Sequence, residues 1–321
     1  MLFRSSCAAE RRPARGHTEA GQARHREGSE VTVAAPSWRQ AAARVARQVD
    51  YGADHLWLDL EVATDFAEPR PGEFVQLLLP PSSSAALLPR PMSVAAVGRR
   101  GRARVLGFLY APVGIGTQAL AALDPGDAVD VLGPLGNGFP LDRPGTPVLV
   151  AGGRGIAPLL FAAAALARQG RRCELLFGAR DQRHLVGLAE ARRRIESIGG
   201  RLHLATDDGS RGFQGDVVTL LDRLAPRFAA PLVIHSCGPH GMLKALARWS
   251  MLHDTPAFLA MESVMACGTG VCRGCPLPRS EAGRIAFGRA VPTLQGNRDF
   301  AMCCTEGPVF GAADLDWSRI E

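Results

Sequence analysis

Apolar positions along the chain fall into two textures. From about residue 41 to 143 they form short runs broken by Pro, Gly and polar turns: HLWLDLEV (55–62), EFVQLLL (73–79), MSVAAV (92–97), ARVLGFLY (103–110) and DAVDVLG (127–133). Brief strands punctuated in this way predict a small antiparallel β-barrel. Near 146 the pattern changes. TPVLVAGG (146–153) is an apolar strand running into a glycine turn, and PLLFAAAALARQ (158–169) follows with helical character. CELLFGAR (173–180), a charged helix around 188–198, RLHLATDD (201–208), PLVIHSCGP (231–239) and MLKALARWSML (242–252) continue the alternation. Strands alternating with helices predict a parallel α/β sheet. After Pro256 the chain is Gly-rich and reads as loop. Residues 1–41, rich in Arg, Glu, Ala and Gly without a hydrophobic period, read as a disordered extension. A misassigned start or an Arg-rich targeting peptide are the other readings of that stretch, the second opposed by its four Glu. The expected layout is multidomain: an extension (1–41), an antiparallel β-barrel (42–143), a parallel-sheet α/β domain (144–255) and a C-terminal cysteine module (256–321).

Charge changes little in this picture. The 321 residues carry a formal +6, but residues 1–48 hold nine Arg against four Glu, so nearly all the excess lies outside the expected folded body. With 6% aromatic residues and no basic cluster on a folded face, a nucleic-acid partner is not expected. No run approaches the roughly 18 consecutive apolar residues of a spanning helix, and the start has no apolar signal core, so no membrane partner and a cytoplasmic location are expected.

The cysteines carry the most specific chemistry. Five of the eight fall between 267 and 304. ACGTGVCRGC sets Cys267, Cys272 and Cys275 at C-x4-C-x2-C, with a further cysteine at 303 or 304. A triplet followed by a distant single cysteine is the plant-type [2Fe–2S] ligand pattern, whereas structural zinc usually takes two short knuckles. Gly268, Gly270 and Gly274 let such a loop wrap with its amides turned toward sulfur. Only one of Cys303 and Cys304 can face the cluster comfortably.

Two further motifs lie upstream. On the barrel, Arg90-Pro91-Met92-Ser93 opens a strand and Gly116-Thr117 sits in GIGT before a helix. An arginine suits a pyrophosphate, a hydroxyl can reach a flavin ring nitrogen, and a helix start offers free amides to phosphate. Leu109, Tyr110 and Ala111 would then flank the ring. In the α/β domain, AGGRGIAP places Gly152, Gly153, Gly155 and Pro158 between strand and helix, a turn suited to a dinucleotide pyrophosphate. Cys237, Gly238 and Pro239 end a later strand at the edge where open parallel sheets bind ligands. Tight turns and buried strand ends are the bland alternatives for each motif taken singly.

The order of these motifs resembles the ferredoxin reductase superfamily, and more closely the electron-transfer subunit of class 1B dihydroorotate dehydrogenase, over roughly residues 42–312. The stretches that carry the resemblance are LDPGDAVDVLGPLGNGF (123–139), TDDGSRGFQGDVVTLL (206–221), SCGPHGMLKAL (236–246), MESVMACGTGVCRGC (261–275) and CTEGPVF (304–310). The resemblance implies FAD on the barrel, held by Arg90 to Ser93, Leu109 to Ala111 and Gly116-Thr117. It implies NAD on the α/β domain and a [2Fe–2S] cluster on Cys267, Cys272, Cys275 and Cys304, since the family places its last ligand just before an acidic residue and GPVF. It implies a partner as well: an FMN-containing catalytic subunit that oxidises dihydroorotate, in a heterotetramer. No catalytic residue for that oxidation is expected on this chain. Arg154 stands where the family usually has a small or aliphatic residue, Ala260 where it often has Ser, and the Arg-rich start has no family counterpart. Two other functions compete. One is a flavin/iron–sulfur subunit of another NAD(P)H-dependent reductase of ferredoxin, sulfide or hydrogenase type, and the other is a zinc-stabilised binding module without redox chemistry.

Overall fold

The computed structural model describes residues 38–79, 87–289 and 297–320. Cys7 and nearly all of the expected N-terminal extension lie outside the described residues. The extension's expected end at 41 does not hold, because β1 (Arg39–Gly52) already begins at Arg39 and pairs with strands on both sides. Its Ala- and Arg-rich sequence hides a strand whose small alternate residues, Ala43 and Val45, turn inward.

The strands β2 (His55–Ala63), β3 (Phe74–Leu78), β4 (Arg90–Ser93), β5 (Ala96–Arg100), β6 (Ala103–Tyr110) and β7 (Ala128–Leu135) join β1 in one antiparallel sheet. Their order is β4-β3-β7-β1-β2-β6-β5. MSVAAV, read from sequence as one strand, is two. Only Val94 and Ala95 separate β4 from β5, yet these strands sit at opposite ends of the order, so the sheet must curl until its edges meet. The result is a half-barrel, not a barrel closed by a ladder: β4 pairs with β3, and β5 with β6. Inside the curl, Leu58, Leu60, Val75, Leu77, Leu106 and Phe108 form one apolar core. Helix α1 (Ile115–Ala121) crosses before β7 and buries Leu120 there.

The second sheet runs through β8 (Thr146–Gly152), β9 (Glu174–Ala179), β10 (Arg201–Thr206), β11 (Phe213–Gln214), β12 (Leu232–Cys237) and β13 (Ala257–Ala260). The order β11-β10-β9-β8-β12-β13 is parallel throughout. Alternation along β8 divides the core. Leu149 and Ala151 face α2 (Ile156–Arg168) and α3 (Leu188–Ser197), while Val148 and Val150 face α4 (Val217–Leu224) and α5 (His240–Leu252). Burial on both faces explains why these strands read as continuous apolar runs.

The expected boundary at 255/256 is also displaced. FLA at 258–260 is not loop but part of the sixth parallel strand, and β16 (Val309–Gly311) closes that edge antiparallel to it. Between them stand β14 (Pro276–Pro278), α6 (Glu281–Arg289) and β15 (Phe300–Met302), with β14 and β15 forming a short antiparallel ladder. The cysteine segment is therefore an excursion from the α/β sheet, and its return strand is too short to read from sequence. Among the described residues no helix is long and apolar enough to cross a membrane.

A cleft and a cysteine loop

The strand order places β8 beside β12 at the point where the chain reverses direction across the sheet. Open parallel sheets present a crevice there, at the carboxyl ends of their strands. The two turns leaving those strands are in backbone contact. A Cβ on Gly155 would stand 2.0 Å from the Cys237 carbonyl oxygen and 2.7 Å from the Gly238 nitrogen. One on Gly152 would stand 2.6 Å from Met242 Sδ and 2.8 Å from Pro239 Cδ. Ser236 Oγ donates to Val150 O at 2.8 Å, holding the two strand ends together. Gly153, in the left-handed region at φ +50°, has open space around it. Burial pushes the Cys237 thiol well above its usual pKa, with the Glu262 carboxylate adding to the shift, so it is a neutral group in this wall.

That wall faces the half-barrel across a cleft. Pro91, Met92, Ser93, Leu109, Tyr110, Ala111 and Thr117 line one side, and Pro158 and Cys237 the other. These are the sequence-predicted residues that the fold brings together. Arg90, Gly116, Gly152, Gly153, Gly155, Gly238 and Pro239 shape the adjacent turns and strand ends without lining the cleft. Tyr110 commits its hydroxyl to Gln48 Oε1 at 2.8 Å, and burial raises its pKa. Thr117 Oγ1 closes α1's first turn, 3.0 Å from both the amide and the carbonyl of Gly114. Sequence reasoning missed a third wall: Met261, Glu262, Ser263 and Met265, which descend from β13 toward the cysteines. Arg154 also lines the cleft. The sequence signal for Met261 to Ser263 was the stretch MESVMACGTGVCRGC, which carries the family resemblance and begins directly after a strand that itself went unread.

The cysteine loop follows. Gly268 and Gly270 adopt positive φ and turn the backbone so that amides meet sulfur. Thr269 N and Cys272 N each donate to Cys267 Sγ at 3.4 Å, and Gly274 N donates to Cys272 Sγ at the same distance. Partial burial opposes ionisation of Cys267, but the donations from Cys272 and Thr269 outweigh it and bring the thiol down to about 6. The β14–β15 ladder delivers the remaining cysteines. Pro276 pairs with Met302, so Cys303 N reaches Cys275 O at 2.9 Å and Cys304 N reaches Cys275 Sγ at 3.4 Å. The Cys304 thiol donates to Cys275, lowering Cys275 to about 6 and raising Cys304. Cys303 is engaged elsewhere: its buried Sγ donates to Met261 O at 3.6 Å, and desolvation raises its pKa. Among the described residues no group of three or more His, Cys, Asp or Glu is placed to hold a single metal ion. A [2Fe–2S] cluster asks less of each iron, which takes two protein ligands, so paired thiols under amide donation are the relevant pattern.

Hydrogen bonds tie the motif stretches to one another. Asn137 Nδ2 donates to Glu306 O at 2.9 Å, joining LGNGF of the half-barrel to CTEGPVF. Glu306 also accepts from Met302 N at 2.9 Å and pairs with the buried Arg279 guanidinium, which fixes the turn carrying Cys304.

The family of the oxidoreductase NAD-binding domain matches residues 149–248, which span β8 to α5. The electron transfer subunit of dihydroorotate dehydrogenase B (NAD(+)) from Desulforamulus reducens is 35% identical over 249 residues, 77% of this chain and 87% of its own length. The chain belongs to this family of electron transfer subunits. The Listeria monocytogenes serovar 1/2a member is 34% identical over 251 residues, covering 76% of this chain and 87% of that protein. A solved NADH-dependent reduced ferredoxin-NADP oxidoreductase, studied for flavin-based electron bifurcation, aligns at a TM-score of 0.71 with 25% identity over 87% of this chain and 91% of that one. The chain is thus an oxidoreductase subunit with a ferredoxin-reductase-like fold, as the resemblance implied.

Proposed function

We infer that this subunit passes electrons between NAD and the FMN of a dihydroorotate-oxidising partner chain, using FAD in the cleft and a [2Fe–2S] cluster on Cys267, Cys272, Cys275 and Cys304. One observation carries the reading: a single cleft is walled by the half-barrel, the α/β turns and the segment leading into the cysteine loop. The residues fit both groups. Arg90 Nε is buried without a partner among the described residues, at the head of the strand whose next three residues line the cleft. An anionic pyrophosphate would satisfy it. At the cysteines, amide donors already aim at sulfur, which favours thiolate ligands.

When bound, FAD would supply the exchange between two-electron hydride chemistry and one-electron transfer, and the cluster would supply the one-electron relay. The chain's own residues position and exclude. Gly155 and Gly238 let the two turns close up so that a nicotinamide can approach past Cys237 and Pro158. Burial keeps the Cys237 thiol uncharged there. Met261 and Met265 present apolar surface between cleft and cysteine loop. On the outer side of the loop, Cys272 is exposed and Val264 and Val271 are 82% and 83% exposed. Uncovered valines around a ligand loop suit docking of the FMN subunit, completing the heterotetramer.

Anaerobic purification with the native partner, cofactor analysis and NADH titration test this reading. FAD and two irons per chain, reducible by NADH, together with an FMN-containing dihydroorotate oxidase, are the expected result. A colourless zinc protein overturns the redox reading. The same cofactors with a ferredoxin-, sulfide- or hydrogen-linked partner would leave the electron transfer standing and replace the substrate.

A further inference from the structure

Gln76 is a polar residue in an otherwise apolar strand, and the fold buries it completely. Its neighbours Val75 and Leu77 point into the half-barrel core. Phe74 and Gln76 alternate to the opposite face, where Phe74 packs in the same cluster as Met261, Met265, Cys275 and Cys304. Register supports this placement, since Gln76 stands opposite Pro91 and Phe74 opposite Ser93, and all but Gln76 of these four residues line the cleft. The side chain ends against the cysteine loop. A Cβ at Gly268, next to Cys267, would lie 2.8 Å from Gln76 Cγ and 2.9 Å from its Nε2. Neither Nε2 nor Oε1 has a hydrogen-bond partner among the described residues.

A buried carboxamide with no partner is costly, and buried polar groups are nearly always paired. Here the unpaired amide reaches up from the flavin-side strand to the underside of a loop that already directs backbone N–H groups at sulfur. We propose that Gln76 is an N–H donor from the half-barrel to the sulfur-bearing group held by the cysteine loop, and that it helps to set the reduction potential of that group. The inference rests on the [2Fe–2S] reading above. Hydrogen bonds to cluster sulfur stabilise the reduced, more negative state, so removing a donor lowers the midpoint potential.

The test compares wild type, Gln76→Met and Gln76→Leu as purified full chains in EPR-monitored redox titrations, with the flavin titrated in the same samples. Both variants fill the space without a donor, and either one that keeps the cluster suffices. The expected result is a reduced-to-oxidised cluster ratio about tenfold lower at any fixed potential, a shift of about 59 mV for a one-electron couple, with the flavin midpoint unmoved. A cluster midpoint unchanged from wild type, or a shift confined to the flavin, overturns the proposal and leaves the cluster assignment intact. A wild-type chain that shows no [2Fe–2S] signal fails earlier, at the cofactor reading, and removes both.

Discussion

Gly155→Ala adds one methyl group where two backbones meet. The new Cβ would lie 2.0 Å from the Cys237 carbonyl oxygen and 2.3 Å from its carbon, where ordinary contact begins at 3.4 Å. No rotamer change relieves this, because both atoms are main chain. Gly155 has φ −59°, so alanine is acceptable to the backbone itself and the whole effect is the collision. Either the turn after β8 lifts or β12 moves, by more than an ångström, and overpacking strain of this kind costs about 3 kcal/mol. The displaced turns are also those proposed to admit NAD. The expected outcome is a clear drop in thermal midpoint by differential scanning calorimetry, with weakened NADH binding by fluorescence titration. Gly241→Ala is the matched control. It sits in α5 with nothing within 4 Å of the added Cβ, and should stabilise by about 0.5–1 kcal/mol. A Gly155→Ala protein with wild-type melting and wild-type NADH affinity would show that the two turns do not touch as described.

Other consequences follow from buried groups. His235 is 1% exposed between Phe139 and Phe258, and desolvation, with Arg171 and Arg143 nearby, lowers its pKa from 6.5 to about 3. The unfolded chain therefore takes the proton first: stability is full above pH 6.5 and falls by about 1.4 kcal/mol per pH unit below it, about 2 kcal/mol by pH 5. In denaturant titrations at pH 7 and pH 5, His235→Phe should remove that share of the acid loss, and an unchanged pH dependence would count against the assignment. Cys304→Ser should abolish the visible iron–sulfur absorbance while Cys303→Ser retains it, because Cys304 adjoins Cys275 and Cys303 is held by Met261; the opposite pair of spectra would exchange their roles. Cys272→Ser should likewise lose the cluster with much of the FAD retained.

Much of this molecule is legible in its sequence because its signals are local. Two-sided burial makes β8, β9 and β12 read as apolar runs, and the glycines of AGGRGIAP mark a strand-to-helix turn by composition alone. The C-x4-C-x2-C spacing is a chemical signature that needs no fold. Other features depend on partners distant in the chain. Strand β1 looks like a polar tail until β2 and β7 flank it, and β13 is four residues that become a strand only between β12 and β16. Sequence spacing leaves Cys303 and Cys304 equivalent, and the β14–β15 register distinguishes them by setting one beside Cys275 and the other against Met261. Gln76 is the sharpest case: in the sequence it is one polar letter in an apolar run, and only the packing of the half-barrel's outer face under Gly268 makes it a buried, unpaired amide next to a cysteine. Burial, register and long-range contact decide these points, and none of the three is a property of a short stretch of chain.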